Sequence, residues 1–522
     1  MNIDQFLEQH SNLNLVSDSR LADSDSIFFA LRGSKSDGHK FIESVYFNGC
    51  RHFVVEDDLS FKKFDDVQFV KVQSSSSAWA KAWKLNADKP DENLFLVGVT
   101  GTNGKTSITL MIEHILNLSQ KPCGVLGTID HHLKLNQEVH VWPTSLTTPG
   151  SEILYPRLNE MLNKGAKSVA LEISSHALDQ DRATELSLDS AIFSNFTNDH
   201  LDYHKTMGHY FSSKVKLFEQ LLQLSNKKNK VSVLNYMDPY IKTYLPEFGG
   251  VEVLVEVSDI KKAIQENWVL DLLNKLKSKN PMSKLNLVQL DIHNLNGLSF
   301  TLALDVEINN QSSVLNTGLN SEFKTLKFNL PILGHFQMMN WCQAVLSLTS
   351  LNLSDQVLMS SAQSFSGVPG RLQKVLNSKD KAVFVDYAHT PDALKRTLQS
   401  LKEICSGQLG VVFGCGGDRD AFKRPVMGQV ASEFADFQII TNDNPRGEDP
   451  DLISKQIADG FKSKVPVIEL DRRKAIDLGL RKINNRNDIL LIAGKGHENY
   501  QILKDRTIDF SDYQTVMDLL ED

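Results

Sequence analysis

Cysteine is scarce in this chain: five residues (Cys50, Cys123, Cys342, Cys405 and Cys415), odd in number, scattered, with no Cys-x-x-Cys pair. A disulfide framework or a cysteine-built structural zinc site needs paired or closely spaced cysteines, so this usage argues against both and points to a reducing compartment. No apolar run approaches the roughly 20 residues that span a bilayer. The start, Met1 to Glu8, has neither the basic stretch nor the apolar core of an export signal, so a cytoplasmic protein with no membrane association is expected. Basic charge is not in excess either: 56 Lys and Arg stand against 64 Asp and Glu, for a net charge of −8. That balance lacks the basic footprint of a nucleic-acid binder, and no nucleic-acid partner is expected. Internal repeats are absent as well.

What is present is an ordinary globular composition, 41% hydrophobic and 23% charged over 522 residues. That length exceeds a single core and implies several domains. Residues 1–88 hold short strand patterns (27–31, 52–55, 68–72) among polar loops, and Asp88-Lys-Pro-Asp-Glu-Asn93 reads as a linker. From residue 93 strand, loop and helix alternate, with strands at 95–99, 168–173, 191–194 and 231–234 and helices at 151–164 and 209–224. This alternation predicts a parallel sheet covered by helices. Lys261 to Lys284 reads as one or two helices with a solvated insertion at 274–285, and 287–290, 298–305 and 323–330 read as antiparallel strands. Gly367-Val-Pro-Gly-Arg371 has the composition of a hinge. A second alternation follows, with strands at 382–386, 410–413, 437–441, 465–469 and 489–493 and helices starting near Asp392, Pro425, Leu452 and Arg473. The expected architecture is α/β in three domains: a small N-terminal α/β domain (1–88), a central P-loop domain with a mostly parallel sheet (89–367), and a C-terminal Rossmann-like domain (368–522).

The most informative segment is Val97-Gly-Val-Thr-Gly101-Thr-Asn-Gly104-Lys105-Thr106-Ser107. An apolar strand runs into a glycine-rich turn, then Lys-Thr opens a helical pattern. In such a phosphate-binding loop backbone N–H groups converge on phosphate oxygens, the helix N-terminus favours the anion, Lys105 reaches the β- and γ-phosphates, and the Thr106 hydroxyl is a Mg²⁺ ligand. The common G-x-x-x-x-G-K-[ST] spacing needs glycine at Val99; here glycines fall at 98, 101 and 104.

Ligands of parallel sheets gather at the carboxyl ends of strands. Polar clusters fall at these ends repeatedly. Glu172-Ile-Ser174-Ser-His176 ends one strand, and Glu172 suits the Mg²⁺ of a nucleotide, directly or through water. Asn195-Phe-Thr-Asn-Asp199-His200-Leu-Asp202-Tyr-His204 ends another and offers metal or phosphate neighbours. In the C-terminal half Asp386-Tyr-Ala-His389, Phe413-Gly-Cys415-Gly-Gly-Asp418-Arg419-Asp420, Thr441-Asn-Asp443-Asn444-Pro445-Arg446 and Gly494-Lys495-Gly-His497-Glu498 repeat the signature. Each alone reads equally as a polar turn; four in succession build a rim facing a ligand. Cys415 in that rim reads as an inert small residue rather than a reactive thiol.

Together these segments, with Tyr210-Phe-Ser-Ser-Lys214 and Gly370-Arg371, resemble the Mur ligases, the ATP-dependent amide-forming enzymes of peptidoglycan precursor synthesis. The resemblance spans nearly the whole chain, and the family's loop form, Gly101-Thr-Asn-Gly-Lys-Thr106, accounts for Val99. Within the family, Asp443-Asn-Pro-Arg446 is similar to the motif of the members that add meso-diaminopimelate to UDP-N-acetylmuramoyl-L-alanyl-D-glutamate. The chemistry agrees: meso-diaminopimelate carries a second carboxylate that a guanidinium binds bidentately, whereas the ammonium of lysine would be repelled.

The resemblance implies ATP and Mg²⁺ as cofactors and an acyl phosphate on the D-glutamyl γ-carboxylate, attacked by the amine of diaminopimelate. It implies catalytic roles for Lys105, Glu172, His200 and Lys214. It assigns ATP contacts to Gly101, Thr102, Asn103, Gly104, Lys105, Thr106, Ser107, Asn340 and Arg371. It gives Thr106 and Glu172 one metal ion, and His200 with a carbamylated Lys214 a second. Without the resemblance Lys214 reads as an ordinary helix-surface lysine. The UDP-linked substrate falls to Ser17, Ser19, Ser34, Lys35, Ser36, Thr147, Thr148, Ser174, Gln180 and Arg182. Diaminopimelate falls to Arg419, Asp443, Asn444, Pro445, Arg446, Gly494 and Glu498. A monomer acting on small molecules is expected. Leu146 and Gln337 stand where the family commonly has Asn. Rival readings are a lysine-adding sibling, folylpolyglutamate synthase, or a nucleotide-gated binding protein without ligase chemistry.

Overall fold

The computed structural model describes residues 2–33, 36–57, 64, 66–135, 138–306, 323–375, 381–462 and 465–521. It forms two compact units, one of Met1–Val255, Asn267–Leu285 and Gln343–Leu353, the other of Glu256–Glu266, Asn286–Cys342 and Ser354–Asp522.

The first unit holds a small parallel sheet in the order β1 (Asn14–Val16), β2 (Ser26–Phe29), β3 (His52–Val55), β4 (Gln68–Lys71). Its core is aromatic, with Phe6, Phe28, Phe29 and Phe53 fully buried. A larger sheet contains β5 (Phe95–Thr100), β6 (Cys123–Leu126), β7 (His131–Leu135), β8 (Glu138–Trp142), β9 (Ser168–Glu172), β10 (Ser190–Phe193), β11 (Val231–Asn235) and β12 (Gly250–Glu256). They lie in the order β12-β11-β10-β5-β9-β6-β7-β8, parallel except that β7 runs antiparallel to both β6 and β8. Strands β9 and β10 are buried at every residue, as continuous apolar runs in a helix-covered sheet require. The helix Lys105–Leu118 buries Ile108, Met111, Ile112, Ile115 and Leu116 against this sheet, the 3.6-residue stripe of an amphipathic helix.

Three expectations are corrected here. The segment read as a linker forms a helical turn, Pro90–Asn93, with Pro90 and Asp91 buried. The cause is tertiary: Asp91 pairs with Lys84 at 2.7 Å and accepts from the Ser187 amide at 2.9 Å. Half of the stretch read as a solvated insertion belongs to the helix Asn267–Lys279, and the stretch buries Leu276, Asn280, Ser283 and Leu285. The helix read as 209–224 is α-helical over Met207–Lys216 and widens to a π-helix over Leu217–Leu222.

The second unit contains an antiparallel meander of β13 (Ser283–Asn294), β14 (Gly297–Leu304) and β15 (Lys324–Leu330). It also contains a six-stranded sheet of β16 (Gln373–Val375), β17 (Ala382–Asp386), β18 (Leu409–Phe413), β19 (Phe437–Ile440), β20 (Val467–Ile468) and β21 (Ile489–Ala493), in the order β16-β17-β21-β18-β19-β20. All neighbours except β16 run parallel. Leu394, Leu398, Met427 and Ile457 cover one face, and Ile476, Leu480 and Val516 cover the other. The sheet is therefore doubly wound, and its ligand side lies beyond the carboxyl ends of β17, β18, β19 and β21. Strand β20 is shorter than the 465–469 expected, because Val465 is 95% exposed and Val467 and Ile468 have only a sheet edge to cover.

Candidate functional site

The phosphate loop leaves β5 at Thr100. Val99 needs no glycine: it is a fully buried strand residue paired with Glu172 across β9. Gly101 and Gly104 supply the left-handed backbone, at φ +147° and +86°. A Cβ on Gly101 would lie 1.9 Å from Ser194 Oγ, so only glycine fits there. Asn195 braces the loop from both sides, accepting from the Asn103 amide at 2.9 Å and donating to the Asn103 carbonyl at 2.9 Å. The Thr102 amide donates to the Asn195 carbonyl, and the Thr102 hydroxyl meets Tyr210 Oη at 3.2 Å. Thr106 and Ser107 are buried in the first turn of the helix.

Two lysines converge on one carbonyl. Lys105 Nζ donates to the oxygens of Gly101 (2.8 Å) and Thr102 (3.0 Å), and Lys214 Nζ donates to Gly101 O at 2.8 Å. Lys214 is 1% exposed, not a surface lysine, and lies 4.7 Å above the Tyr210 ring. Burial, with the charge of Lys105 beside it, holds the Lys214 amine well below the usual lysine range, against the opposing pull of Asp199.

The end of β9 builds the acidic counterpart. Glu172 is 2% exposed; its oxygens accept from the Thr128 amide and hydroxyl, each at 3.0 Å, and Thr128 Oγ1 reaches Thr147 Oγ1 at 3.1 Å. Thr148 Oγ1 donates to the Glu172 carbonyl (2.8 Å) and lies 3.4 Å from Ser174 Oγ, while Arg182 donates to the Thr148 carbonyl at 2.7 Å. Exposed Gln180 joins the cluster by donating to Tyr203 Oη at 3.2 Å. His200 sits at a left-handed position, its ring 4.9 Å from that of His176, and burial pushes its imidazole down to about 4. Sequence reasoning missed Thr128, which only the β6–β9 pairing brings to Glu172.

Among the described residues no hydrogen bond ties Ser17, Ser19 or Ser36 to this cluster; Ser34 and Lys35 lie outside the described residues.

In the second unit the expected diaminopimelate residues meet. Asn444 Nδ2 donates to Glu498 Oε2 at 3.0 Å, and Arg446 Nη1 donates to the carbonyls of Gly417 (3.0 Å) and Asn444 (3.4 Å). Arg446 takes a left-handed φ of +50°, which turns its side chain back over the Gly416-Gly417 turn. Asp443 is 8% exposed and its Oδ2 has no hydrogen-bond partner; a Cβ on Gly494 would come within 2.5 Å of that oxygen. An orphaned carboxylate oxygen beside an obligatory glycine suits a donor from a ligand. Lys495, not foreseen, is fully buried and donates to Glu498 Oε2 (3.0 Å) and Asn444 Oδ1 (3.2 Å), fixing both. Arg419 is exposed and Pro445 buried. Asn340 donates to Gln337 at 3.0 Å, so the Gln in place of Asn keeps a partner, and the Arg371 guanidinium stacks 4.4 Å over Tyr387. Burial pushes the Cys415 thiol up to about 12, which makes it inert, and all five cysteines are free.

No helix among the described residues is long and apolar enough to cross a membrane. Residues 99–348 match the model of the Mur ligase middle domain, and residues 370–496 that of the Mur ligase glutamate ligase domain. The UDP-N-acetylmuramoyl-L-alanyl-D-glutamate–2,6-diaminopimelate ligase of Clostridium tetani is 34% identical over 512 residues, covering 98% of this chain and 95% of that protein. The enzyme of the same name from Prochlorococcus marinus strain SARG is 37% identical over 514 residues, covering 96% and 93%. A solved structure of a ligase of this name superposes with a TM-score of 0.61 at 30% identity, covering 97% of this chain and 94% of that one. The chain therefore belongs to the Mur ligase family of ATP-dependent, amide-bond-forming ligases and has its three-domain α/β architecture.

Proposed function

We propose that the chain joins meso-diaminopimelate to the D-glutamyl γ-carboxylate of UDP-N-acetylmuramoyl-L-alanyl-D-glutamate, spending ATP through an acyl phosphate. The observation that carries this reading is the Asp443–Arg446 turn with Glu498 beside it: a guanidinium for the distal carboxylate, and Asp443 and Glu498 for an ammonium. The names of the relatives agree with it.

In this reading Gly101 to Ser107 cradle the ATP phosphates, with Asn340 and Arg371 as further nucleotide contacts. Lys105 turns from the loop carbonyls to the transferring phosphoryl and offsets its charge. The γ-carboxylate attacks the γ-phosphorus and ADP leaves. The neutral amine of diaminopimelate then attacks the acyl carbon, and the tetrahedral adduct expels phosphate as the amide forms. Thr147, Thr148, Ser174, Gln180 and Arg182 position the dipeptide end of the nucleotide substrate. Ser17, Ser19 and Ser36, with Ser34 and Lys35, serve its UDP end. Arg419, Asp443, Asn444, Pro445, Arg446, Gly494 and Glu498 hold the incoming amino acid.

The donor set fits Mg²⁺. Thr106 and Glu172 offer hard oxygen ligands, and the low-pKa amine of buried Lys214 is the form that CO₂ carbamylates, giving an anionic oxygen ligand to set beside His200. The metal, when bound, neutralises phosphate charge. We further propose a monomer at work in the cytoplasm, divided near 1–88, 89–367 and 368–522.

The test measures phosphate release from ATP with the UDP-muramoyl dipeptide present, offering meso-diaminopimelate, L-lysine or D-Ala-D-Ala separately. Release with diaminopimelate alone is expected. Release with lysine instead overturns the role of Arg446, and release with none overturns ligase activity.

A further inference from the structure

Three side chains that the ligase reading leaves unused gather on the helix that carries Lys214 and on two helices that precede it in the chain. Asp179 ends the helix Ser175–Asp179, His204 ends the helix Leu201–His204, and His209 lies in the first turn of Met207–Lys216. One donor atom from each lies within 4.8 Å of the other two. Asp179 Oδ1 is 3.0 Å from His209 Nε2, and the Ser213 hydroxyl bridges the group, 3.2 Å from Asp179 Oδ1 and 3.5 Å from His204 Nδ1.

The far side of each imidazole is anchored. His209 Nδ1 lies 3.0 Å from the His204 carbonyl, which can only accept, so Nδ1 carries the proton. Whenever the ring is neutral, Nε2 presents its lone pair to an Asp179 carboxylate oxygen 3.0 Å away, and two acceptors this close need a proton or a metal ion between them. His204 Nε2 is held 3.0 Å from the buried Ser175 hydroxyl, which leaves Nδ1 facing Ser213 and the carboxylate. A histidine whose outer nitrogen is tied to a carbonyl or hydroxyl while the inner one faces a carboxylate is the outer-shell arrangement of metal-binding imidazoles. Asp179 Oδ2 is fixed in turn by the Tyr203 hydroxyl at 2.9 Å.

We propose that Asp179, His204 and His209 form a transition-metal site, separate from the nucleotide's magnesium and selective for Zn²⁺-class ions. Two imidazoles and one carboxylate are borderline ligands that favour zinc, whereas magnesium prefers an oxygen shell. Zinc bonds of about 2.0–2.2 Å place ligand atoms roughly 3.3 Å apart; Asp179 Oδ1 and His209 Nε2 already lie 3.0 Å apart, and the three ligand atoms lie within 4.8 Å of one another. His209 is half exposed and gives the ion an entry path, and Ser213 or water completes the coordination. A bound ion would pin the helix Ser175–Asp179 to the one that carries Lys214. The ligase reading stands or falls independently of this site.

The test titrates Zn²⁺ into the full-length, EDTA-stripped protein in excess Mg²⁺, by calorimetry and by X-ray absorption of the bound metal. One equivalent with imidazole nitrogens in its shell is expected, weakened about 10- to 100-fold in His209→Gln and again in Asp179→Asn. Circular dichroism of His209→Gln, altered at a half-exposed side chain, checks that it is folded. No uptake, or uptake of equal affinity in the two variants and the parent, overturns the proposal.

Discussion

The phosphate-loop region and the amino-acid pocket both keep cations under cover, and they do so in opposite ways. Beside the loop, Lys105 and Lys214 share a backbone carbonyl, Gly101 O, and the charge of Lys105 adds to burial in lowering the preference of Lys214 for charge. In the pocket, buried cations are matched one to one with carboxylates: Lys495 with Glu498, Arg424 with Glu448, and Arg472 with Asp512. A carbonyl is a weak partner that a phosphate or CO₂ can displace, so the loop region is built to receive charge. In the second region the paired charges hold shape, Arg446 donates to backbone carbonyls, and Asp443 Oδ2 has no hydrogen-bond partner; in the proposed reading these two receive the amino acid. In the proposed reaction one region supplies reactivity and the other selectivity.

Four experiments press on that contrast. The largest effect is expected from Arg472→Met. Arg472 and Asp512 are both fully buried and joined at 2.7 Å, so removing the cation strands a carboxylate and costs about 3–5 kcal/mol in urea unfolding. Arg472→Met with Asp512→Leu should recover most of it; no recovery would mean that Arg472 acts through its bonds to Ala493 O and Asn442 O instead. Next, Lys105→Ala should lower kcat about 10²- to 10³-fold in the phosphate-release assay with an unchanged melting temperature. A matching drop in stability would make Lys105 a structural strut.

Arg446→Ala should raise KM for diaminopimelate about 10- to 100-fold, the weight of charge-assisted hydrogen bonds, and leave KM for ATP near its parent value. Equal rises would erase the division between the regions. A further effect lies behind the loop helix, where the contrast has a local exception. Burial alone would depress His132, but hydrogen bonds to Asp130 and Glu113 push it up to about 9. The folded chain thus keeps a proton that the unfolded chain gives up near pH 6.5. The stability this contributes is full below about pH 6.5 and is lost as pH rises towards about 9. Unfolding measured across that range should show the decline, and His132→Gln should flatten it.

Much of this was legible in the chain because it is local. The Gly101–Thr106 turn, the polar strand ends and the alternation that sets the doubly wound sheet each sit within a few residues. Arg446 was readable for the same reason, as part of a four-residue turn. Long-range burial was not legible. Asp88–Asn93 has a linker's composition, and only Lys84 and the Ser187 amide make it a buried turn. Lys214 looks like a surface lysine until the Gly101 carbonyl is brought to it from 113 residues away. Thr128 needed the β6–β9 pairing, and Lys495 needed Asn444, before either had a role.

The claim that the loop region activates a carboxylate while the pocket chooses the amine is tested most directly with ¹⁸O. The γ-carboxylate of the D-glutamyl residue is labelled, the reaction is run with ATP and meso-diaminopimelate, and the released phosphate is weighed by mass spectrometry. Transfer of a single ¹⁸O to each phosphate is predicted, since the carboxylate oxygen that attacks phosphorus leaves with it. Phosphate free of label, formed alongside the tripeptide product, would contradict the account.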